Sequence, residues 1–326
     1  MDNIYKKFFN YIELKDDKIN IFELLNTLEL KGIYKNDPRM SIIKSRIYDN
    51  KKKMYYSKEE FMELVNGNII FLNKVIKNEF IIPNFEEFTD SIKELYTQSN
   101  KNNQGEKASY IPQLLNQDEK CFGVSLCTVD GQQYNVGDTD IDFCIQSCCK
   151  PINYCIALND NSVEYVHEYV GREPSGEEFN ALKLNKNGIP HNPLINSGAI
   201  MTCSMIERDK DSSQRFDYVV NIWSRLCGGE KIGFNNSICL SEKQHANRNR
   251  ALAYFMNENK GFPEGTNLLD ILDFYFESCS LELTSKKLSV VASTLANGGI
   301  NPLTGDKIFS DTTVRNCLSL MNSKDI

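Results

Sequence analysis

Residues 142–154 read DFCIQSCCKPINY, which places Ser147 and Lys150 three positions apart at the start of an apolar run. Residues three apart share one face of a helix, so the hydroxyl and the amine are predicted to lie side by side. Pro151 lacks an amide proton and is tolerated in the first turn of a helix, which puts Ser147 at or near the helix N-terminus. The stretch therefore indicates a serine nucleophile beside a lysine base, or an ordinary capped helix with a surface lysine.

The serine interpretation sets a condition on Lys150. The free amides at a helix N-terminus stabilise a negatively charged oxygen, and a neighbouring amine accepts the serine proton only when it is neutral. Lys150 must therefore have a pKa well below its ordinary value, through burial behind Ile152, Cys155 and Ile156 or through a second cation.

Three cysteines surround this serine, namely Cys144, Cys148 and Cys149. A catalytic thiol normally needs a histidine base, and none of the three histidines is tied to these cysteines by spacing. A Ser-His-Asp triad is not favoured either, because the sequence contains no G-x-S-x-G elbow, the motif that exposes a nucleophilic serine. The eleven cysteines are therefore predicted to be mostly reduced core residues. Isolated histidines without H-x-x-x-H spacing argue against a zinc site, and no metal or cofactor is expected.

The composition restricts the class of partner. The 326 residues carry a formal net charge of −7, and the pI is about 5.2. Phosphate binding needs a basic face and this composition suggests none, which argues against a nucleic-acid partner and favours a small or neutral ligand. No apolar run is long enough to cross a bilayer, and the first residues resemble neither a secretory signal nor a transit peptide. The sequence thus predicts no membrane association.

Residues 1–96 have apolar positions at helical spacing and predict a small helical bundle. Ser57 followed by Glu60 forms a capping box, and Asn84 is expected to cap the next helix. The run 49–60 resembles an EF-hand calcium loop, but Lys51 and Lys53 occupy ligand positions and Met54 replaces the required glycine. An EF-hand-like bundle without calcium sites is predicted.

The polar stretch 97–109 has no periodicity and predicts a linker to a second domain, 110–326. In this domain two strands are expected to meet at Asp130-Gly131, a dipeptide suited to a tight turn. Helices predominate after this hairpin.

From residue 110 onward the chain resembles the serine-dependent glutaminase family, particularly the animal kidney-type enzymes. The resemblance rests on motifs that occur in order: YIPQLLN, GVSLCTVDGQQYNVGDT, CIQSCCKP, EYVGREPSG, HNPLINSGAI, RNRALAYFM, FPEGTNLLDILDFYF and LANGGINPLTGD. The N-terminal part is similar to the calcium-free EF-hand-like bundle of those enzymes. The resemblance implies a β-lactamase-like catalytic domain of mixed helices and strands (α+β) behind an all-α bundle.

The resemblance also implies a reaction, the hydrolysis of L-glutamine to L-glutamate and ammonia. Ser147 would attack the amide carbon, Lys150 would activate it, and Tyr275 would relay protons and donate to the leaving nitrogen.

The substrate-binding positions implied by the family are Tyr110 at the pocket mouth, Asn196, Glu242, Asn249, and the catalytic Ser147 and Tyr275. A carboxylate and amides complement a zwitterion. Glu242 and Asn249 are seven residues apart, so both would face one pocket if the stretch is a continuous helix.

The family's catalytic domain continues beyond the point where this sequence ends, in LSLMNSKDI. The sheet is therefore expected to be incomplete, and activity reduced by the loss of an oxyanion-hole donor. Two alternatives remain open: an impaired regulatory subunit of a glutaminase assembly, and a related serine amidohydrolase acting on another amide. The resemblance further implies a homo-oligomer (dimer or tetramer), a phosphate activator and a mitochondrial location, with the cytoplasm as the alternative.

Overall fold

Two groups of helices, each around its own apolar core, make up this computed structural model, which describes residues 2–49 and 53–323. Lys51 of the predicted calcium-like loop and the last residue, Ile326, lie outside the described residues. The first group contains, in order, α1 Asp2–Phe9, β1 Ile19–Asn20, α2 Ile21–Leu30, a 3-10 turn Pro38–Met40, α3 Ser41–Asp49, β2 Tyr55–Tyr56, α4 Lys58–Leu64, α5 Ile69–Ile76 and α6 Phe85–Ser99.

The helix caps of this bundle match the sequence predictions in part. Ser57 and Glu60 form the predicted capping box at the start of α4. Asn84 occupies the N-cap position of α6, but its amide donates to the Glu87 carboxylate instead of capping the backbone. Helix α6 continues to Ser99 and so includes the first three residues of the predicted linker.

The two loop regions of the bundle pair through a short antiparallel ladder between β1 and β2, with Ile19 opposite Tyr56. In the second loop, the ammonium of Lys53 lies 2.5 Å from a carboxylate oxygen of Glu60. A side-chain cation therefore contacts this carboxylate at the end of the predicted calcium-like run.

The second group of elements follows α6. It contains α7 Pro112–Leu115, β3 Gly123–Cys127, β4 Gln133–Gly137, β5 Phe143–Cys144, a 3-10 turn Gln146–Cys148, α8 Cys149–Asp160, α9 Val163–Tyr169, α10 Asn196–Cys203, α11 Ser212–Leu226, β6 Gly233–Phe234, α12 Asn236–His245, α13 Asn247–Glu258, α14 Leu268–Cys279, β7 Leu281–Leu283, α15 Ser285–Ala296 and α16 Asp311–Ser323. This mixture of helices and short strands agrees with the predicted α+β class. In the described part of the chain, none of the helices is long and apolar enough to span a bilayer.

Strands β3 and β4 form the predicted antiparallel hairpin, with Val124 opposite Val136. Gly131 has a positive φ of 84°, whereas Asp130 does not, because five residues connect the strands and the turn is wider than a two-residue one. The other short strands pair in the order β5-β7-β6, and both pairings are antiparallel.

Arg39 of the bundle reaches this hairpin turn. Its guanidinium donates to the carbonyl oxygens of Asp130 at 2.9 Å and Gly131 at 2.6 Å, while the Asp37 carboxylate accepts from the same guanidinium. Asp37 is buried, so the contact between the bundle and the hairpin is partly shielded from solvent.

Helix α10 lies in the middle of the larger core, against α8, α13 and α14, and every residue from Ser197 to Cys203 is buried. Gly198 allows the backbone carbonyl of Asn192 to approach α10, because a Cβ atom at this position would overlap that oxygen. Arg215 of α11 is buried beside the other end of α10, where it donates to the carbonyl of Cys203 at 2.6 Å and lies over the ring of Phe274.

Candidate active site

Ser147 lies in the 3-10 turn that leads into α8, one residue before the N-cap position, which Cys148 occupies. The preceding residue, Gln146, has a positive φ of 48°, a rare conformation for a residue with a side chain. Ile145 anchors the turn by donating its amide to the Leu281 carbonyl at 2.9 Å. The turn exposes Ser147 between two cavities, in agreement with its predicted position near a helix N-terminus.

Lys150 follows in the first turn of α8 and is only 4% exposed. Burial lowers the pKa of Lys150 below its ordinary value, while the nearby thiols of Cys279 and Cys149 act in the opposite direction. The surface-lysine alternative is therefore wrong, because the amine is buried and its pKa is lowered, in the direction that the serine interpretation requires.

Two asparagines continue from this amine toward the cavity. Lys150 Nζ donates to Asn196 Oδ1 at 2.7 Å, and Asn196 Nδ2 donates to Asn249 Oδ1 at 3.0 Å. Asn196 is the first residue of α10 and Asn249 lies in α13, so three helices meet at these side chains. These hydrogen bonds fix the orientation of both side-chain amides at the cavity.

Glu242 lines the same cavity as these asparagines. Its Oε1 accepts a 3.0 Å hydrogen bond from the hydroxyl of Tyr110, which is exposed at the cavity entrance. Burial raises the pKa of Glu242 above its ordinary value, against the effects of Tyr110, the Gln146 amide and the charge of His245. Burial and the neighbouring Glu242 also raise the pKa of Tyr110.

Glu242 and Asn249 are not on one continuous helix, as the seven-residue spacing suggested. Helix α12 ends at His245 and α13 begins at Asn247, with Ala246 between them. Both side chains nevertheless line the same cavity, because the junction between the two helices lies at its wall.

Tyr275 of α14 lies deeper in the wall and is 4% exposed. Burial raises its pKa well above the ordinary value, so its phenol is protonated at neutral pH.

Six of the seven predicted site residues line one cavity of about 330 Å³, a volume at the lower end of small-molecule sites: Tyr110, Ser147, Asn196, Glu242, Asn249 and Tyr275. The seventh, Lys150, lines a neighbouring cavity of about 830 Å³ that shares Ser147 with the first. The structure thus brings the predicted residues together, while their chemical roles remain predictions. In the described ranges, histidine, cysteine, aspartate and glutamate side chains form no group of three or more suited to a metal ion.

Sequence analysis missed Gln146, although this residue precedes the proposed nucleophile. Its side chain also lines the cavity, where its buried amide lies near Glu242 and lowers the pKa of that carboxylate. Two features mark this residue, a positive φ and a buried amide beside Glu242, and neither can be read from the letters of the sequence.

The cysteines near the serine differ in their surroundings. Cys148 is exposed beside Ser147, whereas Cys149 is buried and Cys144 is half-buried. All eleven cysteines are free thiols, and seven of them are buried, which largely confirms the predicted core role.

Comparison with known proteins identifies two regions of the chain. Residues 105–324 match the glutaminase family, and residues 4–83 match an EF-hand domain. A mouse protein named "Glutaminase liver isoform, mitochondrial" is 41% identical over 311 residues, or 94% of this chain and 52% of the relative. A Clostridium botulinum glutaminase is 40% identical and matches 67% of this chain and 72% of its own length.

The structural comparison agrees with these sequence matches. The crystal structure of Mglu in its glutamate form has a TM-score of 0.68 and 33% identity, and covers 72% of this chain and 54% of Mglu. The chain spans about half the length of the animal relatives that it matches. With the family match over residues 105–324, these similarities show that the chain belongs to the glutaminase family.

Proposed function

We propose that this protein hydrolyses the side-chain amide of L-glutamine to L-glutamate and ammonia. The observation that carries the proposal is one cavity bordered by the exposed hydroxyl of Ser147 and the buried acid Glu242, with the buried amine of Lys150 next to it. The names of the relatives and the solved glutamate form of Mglu support the same substrate class.

In the proposed first step, Ser147 Oγ attacks the amide carbon of the substrate, while neutral Lys150 Nζ takes the hydroxyl proton. The protonated phenol of Tyr275 donates to the leaving nitrogen, ammonia departs, and the glutamyl group remains as an ester on Ser147. The proton on Lys150 then restores the phenol.

In the second step, water attacks the ester carbon and passes its proton through the same groups, which releases glutamate and restores Ser147. The burial that lowers the pKa of Lys150 supports its role as the base.

Substrate binding is assigned to the polar side chains that line the cavity. The Glu242 carboxylate holds the α-ammonium group, and the phenol of Tyr110 orients that carboxylate through its 3.0 Å hydrogen bond. The amides of Asn196 and Asn249 hold the polar groups of the substrate, with their orientation fixed by the hydrogen bond from Lys150.

The finer structural assignments follow the family. We propose that residues 110–326 are a β-lactamase-like catalytic domain, joined through 97–109 to the EF-hand-like bundle of 1–96. A homo-oligomer, a phosphate activator and a mitochondrial location belong to the same proposal, and the names of the liver-isoform relatives support the location.

The Ser147→Ala variant tests the nucleophile. We expect ammonia release from glutamine to fall by at least about a thousandfold, because the acyl-enzyme requires the hydroxyl oxygen. The measurement is enzyme-coupled detection of glutamate on the purified full chain, and trapping of a glutamyl ester by rapid acid quench and mass spectrometry in the wild type.

Cys148→Ser is the matched control, because Cys148 is the exposed nucleophilic side chain next to Ser147. This variant should keep most of the activity. A dead Cys148→Ser variant alongside an active Ser147→Ala variant would assign the nucleophile to the thiol instead.

A further inference from the structure

Two buried thiols meet between the helices that carry the proposed catalytic groups. The sulfur atoms of Cys149 and Cys279 lie 3.7 Å apart. Cys149 is the first residue of α8 and is followed by Lys150, while Cys279 ends α14, four positions after Tyr275. A covalent change at this pair therefore acts on both sides of the proposed reaction centre.

The cavity gives this pair access to small molecules. Cys279 lines the same cavity as Ser147 and Tyr275, although it is only 5% exposed. A second pair of buried, neighbouring thiols, Cys155 and Cys317, lines neither the cavity of Ser147 and Tyr275 nor the adjoining cavity of Lys150. Both pairs can in principle form a disulfide, but only the Cys149–Cys279 pair is reached by small molecules through this cavity.

We propose that Cys149 and Cys279 form a covalent modification site, which hydrogen peroxide entering through the cavity converts to a disulfide that inactivates the enzyme. Cys279 Sγ attacks one peroxide oxygen, and water leaves, giving a sulfenic acid. Cys149 Sγ then attacks this sulfur and displaces the hydroxyl group as a second water molecule. Two thiols and one peroxide give one disulfide and two waters, so sulfur is oxidised and peroxide is reduced.

The geometry explains why the bond would impair catalysis. The sulfur atoms must move from 3.7 Å to the bonded separation of about 2 Å. This movement shifts the start of α8 against the end of α14, and so displaces Lys150 relative to Tyr275. Catalytic rates are sensitive to displacements of about 1 Å.

The thiol chemistry predicts how the reaction depends on pH. Contact with Cys149 and burial raise the pKa of Cys279, whereas Lys150 acts in the opposite direction when its amine is protonated. The thiolate is the reactive form, so disulfide formation is expected to accelerate as pH rises.

The experiment compares the full-length wild type with Cys149→Ala and Cys155→Ala after treatment with hydrogen peroxide. Free thiols are alkylated, and disulfide-linked peptides are mapped by mass spectrometry. We expect a Cys149–Cys279 bond in the wild type and in Cys155→Ala, with at least about a tenfold loss of glutaminase activity that dithiothreitol restores. Cys149→Ala should form no such bond, although it retains the exposed Cys148, and its oxidised Cys279 should instead be trapped by dimedone as a sulfenic acid.

Two results would overturn the inference. One is wild-type protein in which the Cys149–Cys279 bond is absent or forms no faster than a Cys155–Cys317 bond. The other is a stoichiometric Cys149–Cys279 bond that leaves activity unchanged.

The inactivation part of this inference rests on the proposed function, whereas the peptide mapping does not. A protein without glutaminase activity would still report whether the bond forms, and an active protein without the bond would contradict only this inference.

Discussion

In the proposed function, Glu242 carries a negative charge at a buried position that disfavours it. Burial raises its pKa, while hydrogen bonding to Tyr110 favours the charged form. In the proposed complex, the ammonium group of glutamine supplies the missing counter-charge. The charge of this one side chain is therefore expected to control substrate affinity.

As the pH falls, glutamine binding should weaken at a higher pH than the one at which an exposed glutamate becomes protonated. Glu242 is charged above its pKa and neutral below it, and burial moves that pKa upward from the ordinary value of about 4.3. The KM for glutamine is therefore expected to rise as pH falls through this raised pKa. Glu242→Gln should raise KM about 10- to 100-fold at neutral pH and remove this acidic rise, because the amide cannot form the charge-assisted bond. Steady-state kinetics across pH measure both effects.

Glu277→Gln provides the matched control for this prediction. Burial also raises the pKa of Glu277, but its carboxylate pairs with Lys243 and does not line the cavity. The control should keep the wild-type KM and its pH dependence. An unchanged KM in Glu242→Gln would contradict the assigned contact with the ammonium group.

For single residues, the sequence predicts which side chains line the cavities better than it predicts their backbone conformation. The Ser147–Lys150 spacing and the family motifs located the side chains that meet at the cavities. Gln146 was missed because its importance arises from a positive φ and from burial of its amide. Both depend on how β5 and the 3-10 turn are anchored in three dimensions.

The close approach at Gly198 makes α10 sensitive to a single added carbon. In most helix interiors, replacing glycine with alanine stabilises the protein by roughly 1 kcal/mol. Here the new Cβ would overlap the carbonyl oxygen of Asn192, so Gly198→Ala should instead destabilise the fold by about 1–3 kcal/mol. The same shift would move Asn196, two residues earlier, away from Lys150. Thermal unfolding and glutaminase assays measure the two effects.

Gly105→Ala is the control, since Gly105 lies outside the helices and strands and a Cβ atom there meets no other atom within 4 Å. It should change neither the unfolding midpoint nor the activity. A Gly198→Ala protein as stable as the wild type would show that the Asn192 carbonyl can move without cost.

Element boundaries were harder to predict than element types. Helical periodicity and caps predicted α4 and the capping box at Ser57 correctly. The break at Ala246 was not predicted, because the stretch from Glu242 to Asn249 lacks the glycine or proline that usually marks a helix end. The end of α12 is therefore known only from the structure.

Across the whole molecule, Arg39 connects the bundle to the β3–β4 hairpin. Replacing it with methionine removes its bonds to the carbonyls of Asp130 and Gly131 but keeps an apolar side chain. We expect the amides of residues 128–133 to exchange hydrogen with solvent faster in Arg39→Met, because the turn loses one of its contacts with the bundle. The bonds from Ile81 N to Asp130 and from Gln133 N to the carbonyl of Gly32 remain, so the increase is expected to be partial. Hydrogen exchange read by mass spectrometry measures this change.

Arg46→Met is the matched control. Arg46 also donates to backbone carbonyls, but all of them, at residues 63, 64 and 66, lie within the bundle. This variant should alter exchange inside the bundle and leave the hairpin as in the wild type. Equal hairpin exchange in Arg39→Met and the wild type would contradict the proposed connection.

The sequence predicted the two groups of helices, since periodic apolar positions mark each core and the EF-hand and glutaminase matches cover different residues. It did not predict how β5, β6 and β7 pair. Strands of two or three residues leave too short a pattern for their alternation to be recognised.

The position of α10 has an electrostatic consequence for the two buried cations at its ends. Aligned peptide dipoles give a helix a partial positive charge at its N-terminus and a partial negative charge at its C-terminus. Lys150 contacts the first residue of α10, where this field disfavours an ammonium ion, and Arg215 binds the carbonyl of the last residue, where it favours a guanidinium ion. The field of one short helix thus favours the neutral form of one buried cation and the charged form of the other.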